Sequence, residues 1–194
     1  MSMNKLSTDI KNRAAKIKLV LMDVDGVFTD GTLYYFPGPD GKMVEFKGFN
    51  TQDGLGFHLL NEAGIKTGLI SGRDSPAVVE RAKILKIQYV YQGHLEKEAS
   101  YNEILKDAKL KDEQVAFIGD DFTDAPLMVR CGLSVAVANA RQELRAMANF
   151  TTEAPGGDGA IREVVELILK SQNLWQGVLE KYKLVENKKK SIGL

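Results

Sequence analysis

The chain has 194 residues, 44% of them hydrophobic and 27% charged, which suits one α/β domain with a continuous core. Lysine plus arginine and aspartate plus glutamate each total 26, so no overall field draws the chain to nucleic acid or to a membrane surface. The single cysteine, Cys131, excludes an internal disulfide and a cysteine-rich zinc site.

Residues 4 to 16 read as a short polar helix leading into a strand at Lys18–Met22. Two β-rich arms then flank "PGPDG" between Gly31 and Phe46, which predicts a β-hairpin. Asn50 and Thr51 can cap a helix whose apolar Leu55, Leu59, Leu60 and Ala63 recur at helical spacing until Gly64. Strand and helix then alternate: Lys66–Ile70 and about Ser75–Leu85, Gln88–Tyr91 and about Lys97–Ala108, Gln114–Ile118 and about Thr123–Cys131 with Pro126 in the first turn. Cys131 ends that pattern as a core residue. Leu133–Val137 is followed by a helix to about Ala148, a short edge strand in "NFTT", and a helix over Ala160–Lys170. Gly156, Gly157 and Gly159 read as a flexible loop, because no strand-to-helix fingerprint surrounds them. Leu174, Trp175, Val178, Leu179 and Tyr182 space out a packing helix, and the basic run Asn187–Lys190 reads as a solvated tail.

This alternation predicts a doubly wound parallel sheet with the hairpin inserted after the first strand. No repeat or linker interrupts it, so the expectation is one domain over 1–194, with a core from about 17 to 170 and a tail over 171–194. No stretch is long enough for a membrane span or shaped as a signal peptide, and a cytoplasmic location is expected.

Ligands of such sheets bind beyond the carboxyl ends of the strands. The first strand there runs into "DVD", with Asp23 and Asp25 one residue apart; "SGR" (Ser71 to Arg73) and "GDD" (Gly119 to Asp121) follow two others, and Lys97 opens a helix after a third. Carboxylates this close either hold a cation between them or share a proton. With Asp124, five acids gather near one edge, and an all-oxygen set without histidine favours a hard ion such as Mg²⁺. A calcium loop fails on spacing, because Gly26 comes at the fourth position of "DVDG" rather than the sixth. Ser71, Arg73 and Lys97 add donors and positive charge suited to phosphate. Metal, carboxylate nucleophile and phosphate clamp together point to phosphoryl transfer.

"DVDGVFT", "LISGR", Lys97 and "GDDFTD", in that order on successive strand ends, resemble the four motifs of the haloacid dehalogenase (HAD) superfamily of phosphatases. "DGVFTDG", "FNTQDGLG", "YQG", "GLSVAVANA" and "GGDGAIREV" are similar to the family of 3-deoxy-D-manno-octulosonate 8-phosphate (KDO 8-phosphate) phosphatases, over roughly Ile17 to Lys170. The resemblance implies a Rossmann-like fold and hydrolysis of a sugar-acid phosphate through an aspartyl phosphate on the route to lipopolysaccharide; the segments between Gly26 and Leu69 and between Gly72 and Lys97 leave no room for a cap domain. The resemblance makes Asp23 the nucleophile and Asp25 the acid and base. Mg²⁺ is implied on Asp23, the Asp25 carbonyl and Asp120, and the phosphate on Ser71 and Lys97.

Substrate contacts are implied at Asp25, Asn50, Thr51, Gln52, Asp53, Gly54, His58, Arg73, Arg81, Lys97 and Asp121. The family usually has Arg where Gln52 stands and commonly Arg where His58 stands. Taken alone, His58 reads as a surface or core histidine. The hairpin over 31–46 is implied to build a homotetramer, and its apolar Leu33, Tyr34, Tyr35, Phe36, Met43, Val44 and Phe46 support that on their own. The rival readings are an acylneuraminate 9-phosphate phosphatase and, in another class, a non-catalytic oligomerisation module. Asp23, Asp25, Lys97 and Asp120 are all present, which counts against the second.

Overall fold

The computed structural model describes residues 6–185. The Asn187–Lys190 run and the first two residues of the expected N-terminal helix lie outside them. That helix is observed as α1 (Thr8–Ala14), with the Ser7 hydroxyl accepting from the Ile10 amide.

β1 (Leu19–Met22) is buried along its whole length. A strand of four apolar residues in a row is one covered on both faces, and β1 sits inside a six-stranded parallel sheet. Its neighbours are β4 (Lys66–Ile70) and β6 (Val115–Gly119); β5 (Tyr89–Tyr91) lies outside β4, and β7 (Leu133–Ala136) and β8 (Phe150–Thr151) extend the other side. The spatial order is β5-β4-β1-β6-β7-β8. The switch in winding direction falls at β1, where a ligand crevice is expected.

Between β1 and β4 come the two-stranded antiparallel hairpin β2 (Tyr34–Pro37) and β3 (Met43–Phe46), then α2 (Thr51–Glu62). The Asn50 side chain caps α2 by accepting from the Gln52 and Asp53 amides at 2.7 and 3.2 Å. α3 (Pro76–Leu85) follows β4, α4 (Glu98–Ala108) follows β5, α5 (Ala125–Arg130) follows β6, and α6 (Gln142–Met147) follows β7. α7 (Ala160–Ser171) packs with α1 and α2 as one helical layer, while α4 and α5 pack together as another. α8 (Trp175–Lys181) leans on α7, with Trp175 and Val178 against the core. Among the described residues no helix is long and apolar enough to cross a membrane.

The elements follow the sequence expectation, with local differences. The helix expected from Thr123 begins as a 3-10 turn over Phe122–Asp124 before α5. Asp121 and Asp124 there cap each other's backbone amides, which holds the tighter turn until Pro126 opens the α-helix. The glycine loop before α7 is not free. A Cβ on Gly156 would overlap the Gly26 carbonyl, one on Gly157 would overlap the Thr29–Asp30 backbone, and the Gly157 amide donates to the Val27 carbonyl at 2.9 Å. The expected flexible loop is thus a backbone-on-backbone brace for the turn after β1, which only residues without a side chain allow. Cys131 is buried as expected, and burial pushes its thiol up to about 12.

Candidate active site

Register brings the chemistry together. Met22 pairs with Leu69 on one side and Ile118 on the other, so the chain leaves three adjacent strands at one level. Asp23 follows β1 directly, Ser71 follows β4, and Asp120 follows β6. Past Asp23 the chain curls tightly, with the Phe28 and Thr29 amides donating to the Val24 carbonyl at 2.9 and 3.0 Å. Gly26, at φ +97°, turns the chain where a Cβ would overlap the Asp120 carboxylate.

Lys97, at the N-terminus of α4, has an almost fully buried side chain. Its ammonium lies 2.8 Å from Asp23 Oδ1 and 2.7 Å from Asp124 Oδ1. Burial works to lower its pKa, but the facing Asp124 and Asp23 carboxylates prevail and hold it above the ordinary lysine value. Asp124 spends its other oxygen on the Asp120 and Asp121 amides, at 2.9 and 3.3 Å.

Asp23, Asp120 and Asp124 each present a carboxylate oxygen, all within 4.8 Å of one another. One lysine does not balance three acids. Burial, then repulsion from Asp124, raises Asp23 to about 6 against the pull of Lys97. Burial, then Asp23, Asp124 and Asp121, raises Asp120 to about 8. Asp120 Oδ1 is buried without a hydrogen-bond partner. The oxygens left to a ligand are therefore those of Asp23 and Asp120, since Asp124 is committed on both sides. An oxygen-only set with a deficit of positive charge fits a hard divalent cation.

Of the five acids expected at this edge, three converge. Asp25 instead pairs with Lys47 and lies 3.6 Å from the Arg73 Nε. Asp121 is exposed and accepts from the Phe122 amide at 2.7 Å. The Ser71 side chain is buried, and its oxygen accepts from the Arg73 amide at 3.1 Å, which leaves the hydroxyl proton to donate elsewhere.

The other expected contacts scatter. Asp53 is fully buried and accepts from the Gly159 and Arg162 amides at 3.1 and 2.7 Å, so it caps α7; burial raises its pKa against those two bonds. Gly54 is buried, and a Cβ there would meet the Arg81 guanidinium, which itself lies over the Phe49 ring. Thr51, Gln52 and His58 are exposed along α2. Asn50 helps line a cleft of about 350 Å³ with Asp30, Tyr34, Phe46 and Phe49.

Two charged residues escaped the sequence reading. Glu45, in β3, and Lys47, one residue past its end, stand two apart, and their side chains turn to the same place, with Lys47 Nζ 3.3 Å from Glu45 Oε1. There they meet the site. Arg73 is bonded to Glu45 and, at 3.3 Å, to the Tyr35 hydroxyl. The alternation of charge with apolar residues in "VEFK" is the signal that marks them.

A buried lysine bridging two carboxylates, beside a cation-ready acid pair on the strand ends of a doubly wound sheet, fits a phosphoryl-transfer hydrolase. A family model of haloacid dehalogenase-like hydrolases matches residues 85–164. The 3-deoxy-D-manno-octulosonate 8-phosphate phosphatase KdsC of Yersinia pestis is 42% identical over 172 residues, covering 89% of this chain and 90% of the relative. A probable YrbI family phosphatase from Pseudomonas syringae superposes with a TM-score of 0.86 at 44% identity, covering 91% of this chain and 98% of that one. The Moraxella catarrhalis KDO 8-phosphate phosphatase, solved with magnesium, phosphate and KDO, gives 0.85 at 37% identity, covering 93% and 99%. The chain belongs to the KDO 8-phosphate phosphatase family of haloacid dehalogenase-like hydrolases. It is a phosphoric monoester hydrolase.

Proposed function

We propose that the protein hydrolyses KDO 8-phosphate to KDO and phosphate, using Mg²⁺, in the cytoplasm and on the route to lipopolysaccharide. The relatives named above support the substrate. The observation that carries the chemistry is the buried Lys97 ammonium spanning Asp23 and Asp124 beside the unpaired Asp120 oxygen.

In this reading Asp23 attacks phosphorus in line, forming an aspartyl phosphate while the bond to the sugar oxygen breaks. Asp25 gives its proton to that oxygen, then takes one from the water that attacks the phosphoaspartate and frees phosphate. Lys97 has a third N–H to give a phosphate oxygen, and the Ser71 hydroxyl gives another. Asp23, the Asp25 carbonyl and Asp120 would hold Mg²⁺, which supplies charge neutralisation and polarises the phosphoryl group. Arg73 and Arg81 are the cations for the sugar-acid carboxylate. Asn50, Thr51, Gln52, Asp53, Gly54, His58 and Asp121 complete the proposed surroundings, Asp53 acting through the α7 cap. The exposed hairpin, with Phe36, Met43 and Val44 open to solvent, supports assembly as a homotetramer.

The test is phosphate release from KDO 8-phosphate, acylneuraminate 9-phosphate and p-nitrophenyl phosphate, each with Mg²⁺, with chelator, and with Asp23→Asn. A metal-dependent preference for the first, lost in the variant, is expected. A preference for the second overturns the sugar, and activity on none overturns the reading.

A further inference from the structure

The Lys47 side chain is only 1% exposed at the foot of the hairpin, bonded to Asp25 and 3.3 Å from Glu45 Oε1. Glu45 reaches Arg73 with its other oxygen, and the Arg73 Nε returns to the second oxygen of Asp25 at 3.6 Å. The four side chains close a ring of alternating charge: Asp25, Lys47, Glu45, Arg73. Each oxygen of Asp25 faces a different cation, so rotation of that carboxylate is opposed from both sides.

The need for such a restraint is visible next door. Asp25 is two residues from Asp23, beside a cluster of three acids that the single Lys97 ammonium does not balance. A cation bound there would draw in any carboxylate free to swing toward it, because hard divalent ions take whatever oxygens reach them. Asp25 would then be lost as a proton carrier. An ammonium buried to this degree is expensive unless it is paired, and here its partners are an active-site acid and the hairpin.

We propose that Lys47 is a positioning residue, holding the Asp25 carboxylate out of the Asp23–Asp120–Asp124 cluster and aimed at the departing oxygen, with Glu45 anchoring the ammonium from β3. This rests on the reading of Asp25 as the proton carrier of the phosphatase. The hairpin is thereby part of the catalytic apparatus of its own chain, in addition to any role between chains.

The experiment compares two leaving groups. A sugar alkoxide needs a proton as it departs, whereas p-nitrophenolate does not. Lys47→Met is expected to lower kcat on KDO 8-phosphate by on the order of 10²-fold, with a smaller change in KM, the size that loss of general acid catalysis gives. The burst of p-nitrophenolate that accompanies the first phosphorylation of the enzyme is expected to stay close to wild type. Should Lys47→Met not fold, Lys47→Gln keeps a donor of similar reach and is read in the same way, with a milder loss.

Equal losses on both substrates, with a lowered melting temperature, would show that the ring merely staples the hairpin and would overturn the proposal. Asp25→Asn is the reference. If it discriminates between leaving groups and the Lys47 variants do not, positioning by Lys47 is wrong while the reading of Asp25 stands. If Asp25→Asn does not discriminate, that reading falls and the proposal falls with it. Wild-type protein inactive on both substrates would sink the phosphatase assignment itself.

Discussion

Gly26 and Asp120 approach so closely that a single methyl on the glycine would occupy the position of the aspartate's carboxylate. The turn after β1 and the turn after β6 are thus fitted to each other by the lack of a side chain. Gly26→Ala is expected to fail twice, since φ +97° strains any β-carbon and the methyl pushes Asp120 away. Stability should fall by about 1–3 kcal/mol. Phosphatase activity should fall much further, with weaker Mg²⁺ binding by titration calorimetry.

Removal of the cation should expose a pH dependence whose direction follows from the acid cluster. Asp120 is raised from 3.8 to about 8, and Asp23 from 3.8 to about 6. A carboxyl whose folded pKa stands above its unfolded value contributes fully below the unfolded pKa and loses that contribution as pH rises through the folded one. With chelator present, the melting temperature should therefore drop from pH 5 to pH 8, by about 2–4 °C for each kcal/mol lost at this chain length. Added Mg²⁺ should restore more at pH 8 than at pH 6, and scanning calorimetry at the two values checks this.

Lys97→Met leaves Asp23 and Asp124 as buried carboxylates without their shared partner. Breaking a buried pair from one side costs about 3–5 kcal/mol, and that much should be lost in urea unfolding. Activity on every phosphate ester should disappear together, because the lysine meets Asp23, the proposed nucleophile, and not the leaving group.

Asp53 separates a structural role from a contact with substrate. Asp53→Ala removes both bonds to the start of α7 and should cost about 1–3 kcal/mol. Its KM for KDO 8-phosphate, measured well below the melting temperature, should change less than its stability.

The hairpin prediction concerns assembly. Val44→Glu places a charge on an exposed apolar sheet face and should shift the proposed tetramer to smaller species in size-exclusion chromatography with light scattering.

Much of this was written locally. An unbroken apolar run had to be a covered strand, Asn50 had to cap, and "PGPDG" had to turn, because each outcome depends on residues within a few positions of one another. Asp23, Ser71, Lys97 and Asp120 were legible for a related reason: a doubly wound sheet delivers whatever ends its strands to one edge. Which carboxylates share a cation was decided only in three dimensions. Asp25 is held by Lys47, and Asp124 by Lys97 and two backbone amides, pairings that the spacing of the acids does not reveal. Gly156 read as slack until the Gly26 backbone was found against it, and the cap that Asp53 gives α7 came into view only with the fold. Partners more than a hundred residues away leave no periodicity for a sequence reading to detect. Their effect is set by burial and electrostatics, which come into being only when the chain closes on itself.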